Sequence, residues 1–302
     1  VVNGIEVEFR IFVPRNHSGE CWTINVKNVS RRKRDISVFT VANVMLDGVN
    51  MPYGYIGGLS AQYEAKDQML FFKNLTHTVV DEKYRAFVYC DRKPNRWDVS
   101  KDYFLGKNRT YVRPEKIADG NLGNSVASAE YLVGAMQHNF KLDPKRSRKM
   151  NFVLGVVLDI AEARKMKRAF ADGAKIDAEC DKLVKENVKR VKGLALDTPD
   201  GDFDRLFSVW LKHELYLMGD WARFYFKGYR DTCQDAAGMS IINAPRAIEM
   251  LKKALRNQRS DGFCPRAFRV ASMDIAAADK HYADSPSWIA RGLHAILRET
   301  GD

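Results

Sequence analysis

The sequence has no run of eighteen apolar residues, no CxxC pair and no two histidines at metal-ligand spacing. The first absence excludes a membrane-spanning helix. The five cysteines, Cys21, Cys90, Cys180, Cys233 and Cys264, are odd in number and scattered. They suggest neither a disulfide framework nor a zinc knuckle, and they fit a reducing cytoplasm. His77, His138 and His281 have no partners at ligand spacing, and His213-Glu214 lacks the second histidine of a zinc motif. Gly54-Tyr55-Ile56-Gly57-Gly58 is not embedded in a strand–GxGxxG–helix unit, so no phosphate-cradling loop is read there. Val1-Val2-Asn3-Gly4 is not a charged stretch leading into an apolar segment, so no secretory signal is expected. What is present is an ordinary globular composition: 302 residues, 45% hydrophobic and 29% charged, long enough for two domains.

Charge of one sign is in excess, but unevenly. The net charge is +11, yet residues 197–302 hold fifteen Lys or Arg against fifteen Asp or Glu. The whole excess therefore lies in the first 196 residues. It concentrates in Arg31-Arg32-Lys33-Arg34, in Lys145-Arg146-Ser147-Arg148-Lys149 and between Arg164 and Lys192. These runs fall where turns and solvated helix faces are expected. A soluble basic surface is the preferred reading, and neither nucleic acid nor membrane is expected as a partner.

Residues 1–158 read as strands. Glu6 to Pro14 and Cys21 to Lys27 alternate polar and apolar; after the polar turn from Asn28 to Arg34, Asp35 to Val41, Arg85 to Cys90 and Lys149 to Val157 are further strands. Many short strands joined by polar turns predict an antiparallel sandwich. The period changes after Asp159. Ile160 to Phe170 and Ile176 to Val191 read as charged, amphipathic helices, punctuated by Gly173 and Gly193, and together as a linker over 159–196. From 197 to 302 the chain is helical. Phe203 to Leu215 has apolar residues at 203, 206, 207, 210, 211 and 215, one helix face, with Asp202 as the expected N-cap. Pro245 opens a helix over Arg246 to Asn257, and Ser285-Pro286 opens another to Leu297. Trp22, Trp97 and Trp210 are expected in cores. Both ends read as cut: no methionine starts the chain, and the first strand lacks a preceding partner.

The densest polar cluster is Lys227-Gly228-Tyr229-Arg230-Asp231-Thr232-Cys233-Gln234-Asp235. Gly228 permits a sharp turn, and Asp231 or Thr232 can cap the helix that follows. Two readings stay open. Arg230, Gln234 and Asp235 offer a guanidinium fork, an amide and a carboxylate, which suit a ring of sugar hydroxyls. The same spacing also describes a capping box with an Arg–Asp surface pair.

This cluster resembles the G-[FY]-R-D-x-x-Q-D signature of glycoside hydrolase family 94, the inverting cellobiose and chitobiose phosphorylases. Three further stretches are similar to that family. Asp102 to Thr110, followed by Pro114 and Gly120 to Ser125, resembles its F-x-G-x-x-R-[ST] segment. Gln258-Arg259-Ser260-Asp261-Gly262 resembles a Q-x-x-D-G loop, and Tyr282 to Ile289 resembles D-D-P-x-W-[LI], with Ser285 in place of the second aspartate. The resemblance implies a multidomain α+β chain: an antiparallel β-sandwich ending at 158, a helical linker over 159–196, then over 197–302 the start of an (α/α)6 barrel.

It also implies a reaction. Inorganic phosphate, as co-substrate and without a cofactor, attacks the anomeric carbon of a β-linked gluco-oligosaccharide, and an aspartic acid protonates the leaving oxygen. The product is an α-sugar 1-phosphate. The implied sugar contacts are Arg230, Asp231, Gln234, Asp235, Arg266 and Asp284; Arg266 is equally readable as a solvated charge, and for Asp284 a helix cap is the preferred reading. Arg223 is the candidate phosphate contact, equally readable as a solvated arginine beside Trp221. No residue here matches the general acid, expected beyond Asp302, so this chain alone is expected to be inactive. A homodimer is compatible with the resemblance. Two rivals remain: another (α/α)6 carbohydrate enzyme, either a hydrolase or a cyclic glucan synthase module, and, if the chain is complete, a non-catalytic carbohydrate-binding protein.

Overall fold

In the computed structural model, the described residues are 1–46, 59–74, 84–170, 172–220, 226–268 and 282–301. They form two compact units, Val1–Leu183 and Val184–Asp302.

The first unit is built on ten strands, β1 (Ile5–Phe12), β2 (Gly19–Asn28), β3 (Arg34–Val44), β4 (Leu59–Glu64), β5 (Met69–Asn74), β6 (Arg85–Cys90), β7 (Arg96–Ser100), β8 (Ala127–Ser128), β9 (Leu132–Leu142) and β10 (Ser147–Val157). Short helices α1 (Lys101–Leu105) and α2 (Glu115–Ala118) follow β7, and α3 (Ile160–Ala169) and α4 (Gly173–Val191) follow β10. All ladders are antiparallel. One sheet runs β1-β2-β10-β6-β5-β4-β8 and the other β3-β9-β7. The expected antiparallel sandwich is present.

Side-chain parity along the strands explains the layering. Even positions of β9 (Leu132, Met136, Phe140, Leu142) meet Ile24, Val26, Phe72, Val88, Met150 and Phe152 of the larger sheet in the central core. Odd positions, Val133 and Ala135, face the other way and are covered by Phe104 of α1 and by Leu122. The larger sheet is covered on its second face too. Met69, Phe71, Phe87, Tyr89 and Val153 pack under Ala163 and Met166 of α3 and Ile176 and Cys180 of α4. Strands buried on both faces lose the alternating pattern. Met69-Leu70-Phe71-Phe72 of β5 is such a run, all four residues at 3% exposure or less.

Two ion-pair anchors fix the helices. Asp67 accepts both Nε (3.0 Å) and Nη2 (2.8 Å) of Arg164, and Asp177 of α4 is held by Arg10 of β1 and by Lys149 of β10 at 2.5 Å. Where Gly19 pairs with Gly155 on β10, a Cβ on Gly19 would overlap the Leu154 carbonyl and lie 2.9 Å from Gly155 Cα. Only glycine allows that approach.

The two basic runs meet at one end of this unit. The backbone N–H of Lys145 donates to Asn28 O (2.8 Å), and that of Asn28 to Arg146 O (2.9 Å). The fully buried Asn28 amide donates to Arg32 O and Leu142 O at 2.8 and 2.9 Å. Lys33 pairs with Asp143 at 3.0 Å, while Arg31, Arg32, Lys145 and Arg146 are exposed.

The second unit contains α5 (Gly201–Arg205), a π-helical stretch over Leu206–Leu211, α6 (Lys212–Asp220), β11 (Lys227–Gly228), α7 (Tyr229–Ser240), α8 (Ala244–Leu255), β12 (Ala267–Phe268) and α9 (Ser285–Thr300). Its core joins Tyr229, Cys233, Ala236 and Met239 of α7 to Ala247, Met250 and Leu251 of α8 and Ile296 of α9. Here the structure corrects three expectations. Asp200, not Asp202, caps α5, accepting the N–H groups of Asp202 and Phe203. The predicted apolar face is not buried: Phe203, Leu206 and Trp210 are 48%, 51% and 55% exposed. The π-helical stretch shifts the side-chain register from 3.6 residues per turn, so an i, i+3, i+4 set no longer shares one face. Lys212 takes the buried position instead, its ammonium donating to Val191 O at 2.8 Å and to Gly193 O. Trp210 is therefore not a core residue, whereas Trp22 and Trp97 do pack against the sandwich core.

Candidate functional site

The site grows from the two-residue ladder of β11 with β12, which pairs Lys227 with Phe268 and Gly228 with Ala267. The N–H of Tyr229 donates to Arg266 O at 3.0 Å, so Arg266 lies beside the first turn of α7. Gly228 is the N-cap of α7, at φ −65° and ψ 137°, a backbone any residue adopts. The expected sharp turn is thus not required. Neither Asp231 nor Thr232 is the cap: Asp231 sits in the first turn, and the Thr232 hydroxyl donates back to Gly228 O at 2.8 Å.

The cluster splits by helix geometry. Residues four apart share a face, so Arg230 and Gln234 project together and Asp231 and Asp235 about 100° away. Arg230 and Gln234 are exposed, Asp231 half-buried and Asp235 buried at 6% exposure. The anticipated Arg–Asp pair forms, but with a distant aspartate. Arg230 Nη1 donates to Asp284 Oδ2 at 3.0 Å. Asp284 stands at the N-cap position of α9 yet makes no side-chain cap bond; its Oδ2 also accepts Trp288 Nε1 at 3.1 Å. The Asp284 carboxyl is held below the ordinary carboxylate range, first by the Trp288 N–H and then by Arg230. The ring centroid of Tyr282 lies 5.8 Å from the Arg230 Cζ and 5.4 Å from the Arg266 Cζ, within cation–π reach of both guanidinium groups. The structure thus gathers Arg230, Arg266 and Asp284 and adds Tyr282 and Trp288. Sequence reasoning assigned no role to those two. The i, i+4 spacing of Asp284 and Trp288 was the available signal.

Asp235 belongs to a different neighbourhood. Lys227 is buried at 5% exposure, and its ammonium donates to Met218 O at the end of α6. Burial pulls its pKa down to about 8; Asp235 and Asp220 oppose that shift, while Lys253 and Arg246 add to it. Arg246 pairs with Asp220 and, at 3.1 Å, with Glu249. Arg223, Trp221, Arg269, His77, His281 and the Gly54–Gly58 segment lie outside the described residues. His138 is buried and its Nε2 lies 3.0 Å from Arg92 O. Among the described residues no three His, Cys, Asp or Glu side chains converge on a metal site, and no helix is long and apolar enough to cross a membrane. The five thiols are free and buried. A groove of about 640 Å³ lies within the sandwich unit, lined by His17, Trp22, Val41, Phe87 and Leu154 among others; no residue of the polar cluster borders it.

The family model of the glycosyl hydrolase 94 supersandwich domain matches residues 1–173. The chain belongs to glycoside hydrolase family 94. Its relatives in this family include the solabiose phosphorylase of Paenibacillus borealis, 28% identical over 99% of this chain and 38% of that protein. The cellobionic acid phosphorylase of Neurospora crassa is 26% identical over 99% and 38%. The N,N'-diacetylchitobiose phosphorylase of Vibrio furnissii is 25% identical over 99% and 41%. This family 94 chain therefore spans about two fifths of the length of these relatives. A solved human-microbiome structure assigned as a kojibiose phosphorylase shares the fold, with TM-score 0.56 over 97% of this chain and 39% of its own, at 8% identity.

Proposed function

We propose that the parent protein carries out inverting phosphorolysis of a β-linked gluco-oligosaccharide of the cellobiose or cellodextrin kind, releasing an α-sugar 1-phosphate. The observation that carries this reading is similarity along 99% of the chain to phosphorylases of several different disaccharides. The pairing of Arg230 with Asp284, both partly exposed, supports a sugar-facing site at the starts of α7 and α9. In this reading 1–158 is the end of the N-terminal sandwich, 159–196 the linker and 197–302 the start of an (α/α)6 barrel. Arg230, Gln234, Arg266 and Asp284 meet sugar hydroxyls, with donors and an acceptor at fixed angles. Asp231 and Asp235 are the remaining sugar contacts implied by the family motif, Asp235 from its buried place near Lys227, and Arg223 contacts phosphate.

The chemistry needs one acid. Phosphate is already anionic, so it attacks the anomeric carbon without a base, while a carboxylic acid from the part of the parent outside this chain protonates the departing oxygen. The enzyme acts in the cytoplasm, as a monomer or homodimer, with phosphate as co-substrate and no cofactor. The test is incubation of the parent with cellobiose, cellodextrins or diacetylchitobiose, with and without phosphate. Phosphate-dependent release of an α-sugar 1-phosphate is expected. Equal cleavage without phosphate would make the enzyme a hydrolase.

A further inference from the structure

A carboxylate at a helix N-cap ordinarily accepts the N–H groups two or three residues on. Asp284 has the position without the bond: the Ser287 N–H donates to the Asp284 backbone carbonyl at 3.1 Å, and the side chain turns elsewhere. Its Oδ2 takes two donors, Trp288 Nε1 at 3.1 Å and Arg230 Nη1 at 3.0 Å. Trp288 is packed against the helical core of the second unit, so the indole N–H is a fixed point. Arg230 is not fixed by itself. It leaves the exposed first turn of α7 on a long flexible stem, and its guanidinium also lies near the ring of Tyr282.

We infer that Asp284 is a positioning residue for Arg230, tying its guanidinium to the core through the indole N–H of Trp288. This rests on the reading of Arg230 as a sugar contact. A guanidinium fork serves sugar hydroxyls only when its plane is held, since orienting it after binding costs affinity. The bridge spans 54 residues of sequence and joins the first turns of α7 and α9. Among the described residues, the charged groups near it include Arg230 from α7, Arg266 at 5.4 Å from the Tyr282 ring centroid, and Arg291 of α9 with its guanidinium 5.1 Å from the Trp288 ring. No second carboxylate pairs with Arg230 among the described residues.

Two measurements test it. In the 302-residue chain, the indole ¹H–¹⁵N resonance absent from Trp288→Phe is followed as pH is lowered. It should titrate with a midpoint below the ordinary aspartate value of about 3.9, and Arg230→Ala should raise that midpoint. A resonance that does not titrate, or a midpoint unmoved by Arg230→Ala, overturns the bridge. In the parent, cellobiose affinity is measured calorimetrically. Asp284→Ala and Trp288→Phe should each weaken it about three- to ten-fold, the worth of one freed long side chain, and Arg230→Ala more. Loss with Arg230→Ala but none with the other two overturns the positioning role and leaves the sugar site standing. No saccharide binding by the parent overturns the sugar reading, while the titration still decides the bridge.

Discussion

Lys227 offers the most direct test of the second unit's packing, through pH. Its ordinary pKa of 10.5 falls to about 8 in the folded chain, because burial disfavours the charged form more than Asp235 and Asp220 favour it. The folded state therefore releases its proton first as pH rises. Between pH 8 and 10.5 the unfolded chain holds more protons, so this residue's contribution to stability increases with pH across that window. A drop of that size corresponds to about 3 kcal/mol, at 1.36 kcal/mol per tenfold change in proton affinity. Buried thiols work against it. Burial pushes Cys21 and Cys233 up to about 12, so the unfolded chain loses those protons first and stability falls with pH above about 9. Lys227→Met cancels that background. It keeps the length of the side chain, removes the amine and leaves every thiol in place. Urea unfolding of both proteins at pH 7.5 and pH 10.5 gives the difference directly. Wild type should gain about 3 kcal/mol on the variant over that range. A difference constant to within about 0.5 kcal/mol would show that the ammonium is hydrated and the burial of Lys227 misassigned.

Gly19→Ala should destabilise the sandwich by about 1–3 kcal/mol, because its Cβ meets the unyielding backbone of β10 as well as the Met166 methyl; a melting temperature unchanged in calorimetry would refute that close approach. Arg230→Ala, at an exposed position, should change stability by less than about 0.5 kcal/mol but reduce kcat/KM of the parent. Asp235→Ala should lower stability as well as activity, since it removes a buried acid from the surroundings of Lys227; unfolding curves and rates on the two variants separate these outcomes. Trp210, more than half exposed, should be open to iodide quenching. If Trp210→Phe leaves the iodide-accessible fluorescence of the chain undiminished, the indole is covered.

Much of the local structure was legible. Alternation located β1 and β2, and the stretches at 35–41 and 85–90 coincide with β3 and β6; in β1, however, the alternating Val7, Phe9 and Ile11 are more than half exposed, so the period marked the strand and not its buried face. The helix starting at Pro245 was equally plain: Asn243 caps it through the Arg246 N–H at 3.2 Å, with proline in the first turn. Strand β5 went unassigned, because burial on both faces erases the period. The face drawn over 203–215 failed because the chain is π-helical over Leu206–Leu211, a register that the i, i+3, i+4 spacing of the apolar residues does not reveal.

The site divides in the same way. Four motifs in chain order identify the family and the stretch in which the polar cluster lies, because motif spacing is a property of the chain. The sequence alone did not determine partners. Which aspartate meets Arg230, why Asp284 does not cap its own helix, how Asp235 comes to share a buried neighbourhood with Lys227, and that two basic runs more than a hundred residues apart meet at adjacent turns were decided by the tertiary structure. Charge pairing acts over a few ångströms in space and is blind to sequence separation, so residue types and periods state what each side chain can bond, and only packing chooses which bond is made.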